Sequence, residues 1–208
     1  MRETDSGALE RATEVLKKGG FVVAPTDTLY GILANATDPN AVLRLYRLRR
    51  PSRKPFIVLS PDIHWVRKLG LCITPLAMKL LSIPFMTVVL KKRSSLFKHL
   101  GTRSVAVRIP KGGFVRALLE RIGGPLVAPS ANREGEPPAE NVEKARLYFG
   151  EDIPLYIEGR VLSGKPSAII DLSSVSPRVL RRGPYSTKSI ERILNYYLCT
   201  LPKERGSS

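Results

Sequence analysis

Apolar residues recur at helical spacing from Gly7 to Lys18, where Leu9, Ala12, Val15 and Leu16 share one face; Asp5 or Ser6 is placed to cap this helix and Gly19-Gly20 to stop it. Phe21 to Ala24 is then a short apolar run of the kind that makes a buried strand, ended by Pro25 and followed by a loop, Thr26 to Gly31. Asp38-Pro39 supplies a cap and a first-turn proline for a helix carrying Val42, Leu43 and Tyr46, which runs into Pro51. Apolar runs predict further strands at Phe56 to Leu59, Thr87 to Leu90, Val105 to Ile109, Leu126 to Ala128, Leu155 to Ile157, Ala168 to Leu172 and Val179 to Leu180. Helical patterns fit between them at Asp62 to Leu69, Pro75 to Leu81, Phe114 to Ile122, Val142 to Phe149 and Lys188 to Leu198. Seven or eight strands interleaved with five or six helices, without an internal repeat or low-complexity linker, predict one α/β domain on a large twisted sheet with flanking helices. That domain covers residues 1–201, and 202–208 read as a loose tail.

Composition adds a bias. The 208 residues are 43% hydrophobic and 25% charged, as for an ordinary globular chain, but 34 Lys and Arg against 18 Asp and Glu leave a net charge of +16. Such a surface attracts polyanions: nucleic acid, nucleotides or acidic membranes. The apolar stretch from Leu80 to Leu90 is broken by Ser82, Pro84 and Thr87 and is too short to span a bilayer. Arg2, Glu3, Asp5 and Glu10 at the N-terminus do not fit a secretory signal, so the expected compartment is the cytoplasm. Cys72 and Cys199 lack disulfide-framework or metal spacing and read as structural thiols; His64 and His99 stand alone, so no metal site is expected from protein side chains. Trp65 reads as core.

Four polar clusters fall at predicted strand ends, where α/β folds gather ligand groups. They are Thr26 to Gly31; the basic run Arg44, Arg47, Arg49, Arg50, Arg53 and Lys54; Pro129-Ser130-Ala131-Asn132; and Ser163 to Ser167 with Arg181-Arg182-Gly183. A solvated helix face accounts as well as a ligand site does for Arg44 and Arg47, whereas Arg50 and Lys54 flank a loop feeding a strand, where guanidinium forks suit phosphate oxygens. Taken singly, Ser130 with Asn132 reads equally as a turn bonding its own backbone, and the Gly164-Lys165-Pro166-Ser167 turn lacks the spacing of a Walker loop. No Ser-His-Asp order, catalytic carboxylate pair or Cys-His nucleophile is present, which gives covalent hydrolase chemistry little weight.

In order, Pro25-Thr26-Asp27-Thr28-Leu29-Tyr30-Gly31, Arg50-Pro51 with Lys54-Pro55, Ser104 to Pro110, Ser130-Ala131-Asn132, Ser167 to Asp171 and Leu180 to Gly183 resemble the YrdC-like family of threonylcarbamoyl-AMP synthases, over roughly Ala8 to Ile193. The resemblance implies a YrdC-like α/β fold around a basic concave cavity. It also implies a nucleotidyltransferase reaction joining L-threonine, bicarbonate and ATP, with magnesium as the cofactor accompanying ATP, into threonylcarbamoyl-adenylate and pyrophosphate. The product serves threonylcarbamoyladenosine formation at position 37 of tRNA, through a separate transfer complex. Carried over onto this sequence, Thr28, Arg108 and Ser167 match threonine-binding residues. Arg50, Lys54, Ser104, Ala128, Ser130 and Arg181 match ATP-binding ones. Arg50, Lys54, Ser130 and Asn132 match the catalytic set. Direct contact with tRNA or RNA through the basic surface is compatible with this, and no membrane partner is implied.

Three positions depart from the family pattern. The lysine of its Lys-x-Arg motif is missing in Leu48-Arg49-Arg50 or replaced by Arg49, the late Ser-Thr is Ser167-Ala168, and Leu59 replaces a histidine found in some members. Arginine does not simply substitute for lysine at a phosphate site. The alternatives are a YrdC-like paralogue, or an RNA-binding module, that keeps the basic cavity without synthase activity.

Overall fold

The computed structural model describes residues 1–49, 54–160, 162 and 164–200. In chain order the elements are α1 (Ala8–Lys17), β1 (Val22–Pro25), β2 (Tyr30–Asn35), α2 (Pro39–Arg49), β3 (Ile57–Leu59), α3 (Ile63–Lys68), α4 (Pro75–Ser82), β4 (Met86–Lys91) and β5 (Ser104–Arg108). They continue with α5 (Phe114–Ile122), β6 (Leu126–Val127), α6 (Val142–Phe149), β7 (Leu155–Tyr156), β8 (Ala168–Asp171), β9 (Arg178–Arg181) and α7 (Thr187–Thr200), with short 3₁₀ turns at Lys98–Leu100 and Gly150–Asp152.

Side-chain caps start several helices where the sequence places them. Asp38 Oδ1 accepts from the N–H groups of Asn40 and Ala41, Asp62 from Trp65, Thr74 from Ala77 ahead of Pro75, and Asn141 from Lys144. Helix α1 differs from expectation. Its cap is Gly7, at φ 91, and neither Asp5 nor Ser6 supplies a side-chain cap: the Asp5 carboxylate accepts from the N–H of Arg2 instead.

The nine strands form one mixed sheet in the order β7-β1-β2-β6-β3-β5-β4-β8-β9. Pairs β1/β7, β3/β5 and β4/β8 are parallel, and the other neighbours are antiparallel. Both faces are covered. Leu16, Leu118 and Leu119 from α1 and α5 close one face over Val22, Leu33 and Leu126, and α2, α4 and α6 cover the other through Leu45, Leu80 and Ala145. Large burial on both faces explains why most strands read as unbroken apolar runs rather than alternating ones.

Among the described residues there are thus nine strands and seven α-helices: each helix stands where the apolar pattern places one, and the additional strand is β2. Tyr30 and Gly31, expected in a loop, begin that strand, and Pro25 belongs to β1, where it pairs with Tyr30. Leu43, expected on the packed face of α2, is exposed, and the buried stripe runs instead through Ala41, Val42, Leu45 and Arg49. Trp65 is half-buried rather than core, with Lys68 Nζ 4.2 Å from its ring centroid. No helix among the described residues is long and apolar enough to cross a membrane. Residues 202–208 lie outside the described residues, as do Arg50, Arg53 and Ser163.

Candidate active site

The expected loop after β1 is a hairpin turn built on Thr26. Its Oγ1 accepts from the N–H groups of Thr28 (3.1 Å) and Leu29 (3.2 Å) and donates to Leu29 O (2.6 Å), so this hydroxyl is spent on the turn itself. The turn leaves Asp27 and Thr28 at its tip. Thr28 lines a cavity of about 190 Å³ together with Tyr30, Phe56, Arg108, Ala128, Ser130, Ser167 and Arg181.

Arg108 ends β5, where its carbonyl accepts from the N–H of Ser60 at 2.8 Å. Its guanidinium and the Asp27 carboxylate are both nine-tenths buried, with Nη2 2.9 Å from Oδ1. The contact is an ion pair, and Asp27 Oδ1 and Arg108 Nε are buried without hydrogen-bond partners. Burial lowers the proton affinity of Arg108, and the Asp27 charge opposes that shift. Two buried polar atoms left unsatisfied beside a cavity mark a place where a ligand completes the bonding.

Arg181 faces the same space from β9. Its Nε donates to Ser167 O (2.7 Å) and its Nη2 to Ser167 Oγ (3.2 Å), and that hydroxyl shares a hydrogen bond with Thr87 Oγ1 (2.9 Å). Burial lowers the proton affinity of Arg181, and the positive charge of Arg108 lowers it further. The corner after β9 needs glycine. Gly183 sits at φ 61, and a Cβ there would lie 2.3 Å from Ala168 N, so the chain closes onto Ser167-Ala168 only without a side chain.

A second polar array lies beside the first. Arg49, the last residue of α2, is buried and donates from Nε to Ser130 O (3.0 Å) and from Nη2 to Ser130 Oγ (3.2 Å) and Asn132 Oδ1 (2.9 Å). Ser130 Oγ donates in turn to Asn132 Oδ1 (2.6 Å), whose amide donates to Arg133 O and Glu136 O. The fork therefore fixes the Ser-x-Asn turn, with Ser130 on the cavity and Asn132 behind it.

The structure thus gathers Thr28, Arg108, Ala128, Ser130, Ser167 and Arg181 around one cavity. Ser104 opens β5 beside Lys91, four residues from Arg108, and lies outside that lining, as does the exposed Lys54. Asp27 and Thr87 are site residues that the sequence gives no role, and Arg49, legible there as part of the basic run and as a replacement for the family's lysine, is in the fold the residue that orders Ser130 and Asn132. The signal for Arg49 was present: it falls at i+4 from Leu45 and i+7 from Val42, a charge placed on the buried stripe of its helix.

The family model named Sua5/YciO/YrdC, described as "Telomere recombination", matches residues 14–183. A Mycobacterium tuberculosis protein provisionally named threonylcarbamoyl-AMP synthase is 34% identical over 199 residues, 92% of this chain and 91% of its own length. Pyrococcus abyssi Sua5, solved in complex with L-threonine, superposes with a TM-score of 0.83 at 30% identity, over 89% of this chain and 57% of that one. This chain spans little more than half of the archaeal protein. Escherichia coli YciO superposes with a TM-score of 0.79 at 27% identity, over 88% of this chain and 93% of that one. A match covering residues 14–183, with relatives above 30% identity along nearly the whole length, means that this chain belongs to the Sua5/YciO/YrdC family.

Proposed function

We propose that the chain is a threonylcarbamoyl-AMP synthase, a nucleotidyltransferase that makes threonylcarbamoyl-adenylate from L-threonine, bicarbonate and ATP for modification of tRNA at position 37. The observation that carries this reading is a buried guanidinium, Arg108, and a half-buried one, Arg181, lining one small cavity, with Asp27 beside it as the carboxylate paired with Arg108. That local excess of positive charge favours an anionic ligand. Relatives carrying the synthase name, and the Sua5 structure with L-threonine, support the same reading.

About 190 Å³ gives room for an amino acid but not for ATP as well, given that pockets for drug-sized ligands run from about 300 Å³ upwards. In this account threonine occupies the cavity, its carboxylate completing the bonding of Arg108 and its side chain resting against Thr28 and Ser167. The nucleotide lies across the mouth, over the Arg49-ordered turn of Ala128, Ser130 and Asn132, with Lys54 at its rim and Arg181 toward the phosphates; Ser104, at the far end of β5 from Arg108, is left out of this contact set. ATP enters as its magnesium complex, the ion neutralising phosphate charge. Among the described residues no three His, Cys, Asp or Glu side chains gather to hold a metal ion.

The neutral amine of threonine attacks the carbon of bicarbonate, forming an N–C bond and releasing water, and yields a carbamate. A carbamate oxygen then attacks the α-phosphorus in line, and the α–β bridging oxygen leaves with pyrophosphate. Both steps need alignment and charge neutralisation more than a protein nucleophile. The product passes to a separate tRNA threonylcarbamoyl-transfer complex, which places the reaction in the cytoplasm. With ¹³C-bicarbonate, ATP-magnesium and L-threonine, mass spectrometry is expected to find one ¹³C in a threonine-containing adenylate. ATP turnover without such a product would overturn the reading in favour of a paralogue that kept the cavity.

A further inference from the structure

Strand β4 begins Met86-Thr87-Val88-Val89-Leu90 and lies inside the sheet, between β5 and β8. Met86, Val88 and Leu90 join the core on the face covered by α2 and α4, so the alternation of the strand turns Thr87 to the other face. Thr87 is fully buried there. Valine has nearly the same shape and the same preference for a strand, and it fills the next two positions. A buried hydroxyl in its place is costly unless it is hydrogen-bonded. The Thr87 hydroxyl has one partner among the described residues, Ser167 Oγ at 2.9 Å.

That pair stands at the wall of the cavity. In the sheet register Val88 pairs with Val107 and Met86 with Ala168, which sets Thr87 beside Arg108 on one side and beside the entry to β8 on the other. Ser167 lines the cavity, and Thr87 lies behind it, outside the lining. Counting protons at Ser167 Oγ then fixes the direction of each bond. Arg181 Nη2 donates to it (3.2 Å), because a guanidinium has no acceptor to offer. If Ser167 donated to Thr87, the Thr87 proton would be buried with no acceptor among the described residues, and that donor would bear its full desolvation. If Thr87 donates instead, both lone pairs of Ser167 Oγ are filled, by Thr87 and by Arg181. The Ser167 proton is then left for the cavity, where a ligand accepts it.

We propose that Thr87 is a positioning residue: by donating to Ser167 it commits the Ser167 hydroxyl to donate to the ligand. Together with the unpartnered Nε of Arg108, the wall of the cavity therefore presents donors, and it selects a ligand whose oxygens accept at these points. An N–H group placed against Ser167 would meet a donor and is disfavoured there. The identity of the ligand rests on the synthase reading, in which the accepting atom is the hydroxyl oxygen of L-threonine. The direction of the two hydroxyls does not depend on that reading.

Two measurements test this. Neutron diffraction from crystals of the perdeuterated, ligand-free chain locates the deuterium between the two oxygens, expected to be bonded to Thr87 Oγ1 and directed at Ser167 Oγ; a deuterium bonded to Ser167 and directed at Thr87 would overturn the proposal. The second is pyrophosphate release with L-threonine varied, for Thr87→Val, Thr87→Ser, Ser167→Ala and Thr87→Val/Ser167→Ala. Thr87→Val is expected to raise the KM for threonine about 3- to 10-fold, the range of a single hydrogen bond, with kcat and the urea midpoint near wild type. Thr87→Ser, which keeps the donor, is expected to restore most of that loss. In the Ser167→Ala background, where nothing remains to be oriented, Thr87→Val is expected to change KM less than about twofold. A Thr87→Val KM equal to wild type, or the same fold increase with and without Ser167, would contradict a role exerted through Ser167. Wild type that releases no pyrophosphate with threonine removes the synthase reading alone, because the neutron map needs no substrate and still decides the direction of the hydroxyls.

Discussion

Replacing Arg108 with alanine is expected to remove threonine-dependent turnover, lowering kcat/KM for threonine by roughly 10- to 150-fold or more. Charge-assisted hydrogen bonds contribute about 1.5 to 3 kcal/mol each, and a carboxylate held by this guanidinium would lose its ionic partner. The same substitution leaves Asp27 nine-tenths buried with no counter-charge, which costs about 3 to 5 kcal/mol of stability. Loss of activity alone would therefore not separate binding from folding. The double variant Arg108→Ala/Asp27→Ala removes both charges and is expected to recover much of the lost stability, measured by urea denaturation, while threonine use stays lost. A folded double variant with a wild-type KM for threonine would show that the amino acid binds elsewhere.

Arg49 is the second large effect, and its role is to position others. Lysine at this place keeps the charge but cannot reproduce a planar fork that reaches Ser130 O, Ser130 Oγ and Asn132 Oδ1 together. Arg49→Lys is expected to raise the KM for ATP about 10- to 100-fold while leaving threonine binding near wild type, because Arg49 bonds Ser130 and Asn132 and not Thr28, Arg108 or Ser167, the residues placed against threonine. Arg49→Ala is expected to add a loss of stability of about 2 to 4 kcal/mol, since buried acceptors on the Ser-x-Asn turn lose their donors. Steady-state kinetics with each substrate varied in turn, alongside threonine calorimetry, separate the cases. An equal rise in both KM values would contradict a role confined to the nucleotide side.

What the sequence made legible follows from how local each signal is. The cap Asp38 is local chemistry and was read from its neighbours, and helices stand where the pattern placed them; Asp62, Thr74 and Asn141 cap three more in the same local way without having been singled out. Strand β2 was hidden because Gly31 inside Tyr30 to Asn35 reads as a turn. In the fold it is a close approach: a Cβ there would lie 3.2 Å from Thr26 Cγ2 across the hairpin and 3.3 Å from Pro129 O, the latter nearly a hundred residues away in the chain. The cavity residues Thr28, Arg108, Ser130, Ser167 and Arg181 were legible through their family motifs. Asp27 was not, because nothing in its neighbours says that a strand some eighty residues later ends in the guanidinium it meets. Thr87 was missed for a similar reason, its partner Ser167 arriving from the parallel neighbour β8.

The measurement that bears most directly on the whole account is pyrophosphate release by the purified chain from ATP-magnesium, with L-threonine and bicarbonate each omitted in turn and L-serine as the control amino acid. Release that requires both threonine and bicarbonate, and is much weaker with serine, is the result predicted by a cavity in which Arg108 holds the amino acid and the Arg49-ordered turn seats the nucleotide. Folded protein that binds ATP but releases pyrophosphate without threonine, or not at all, would contradict it.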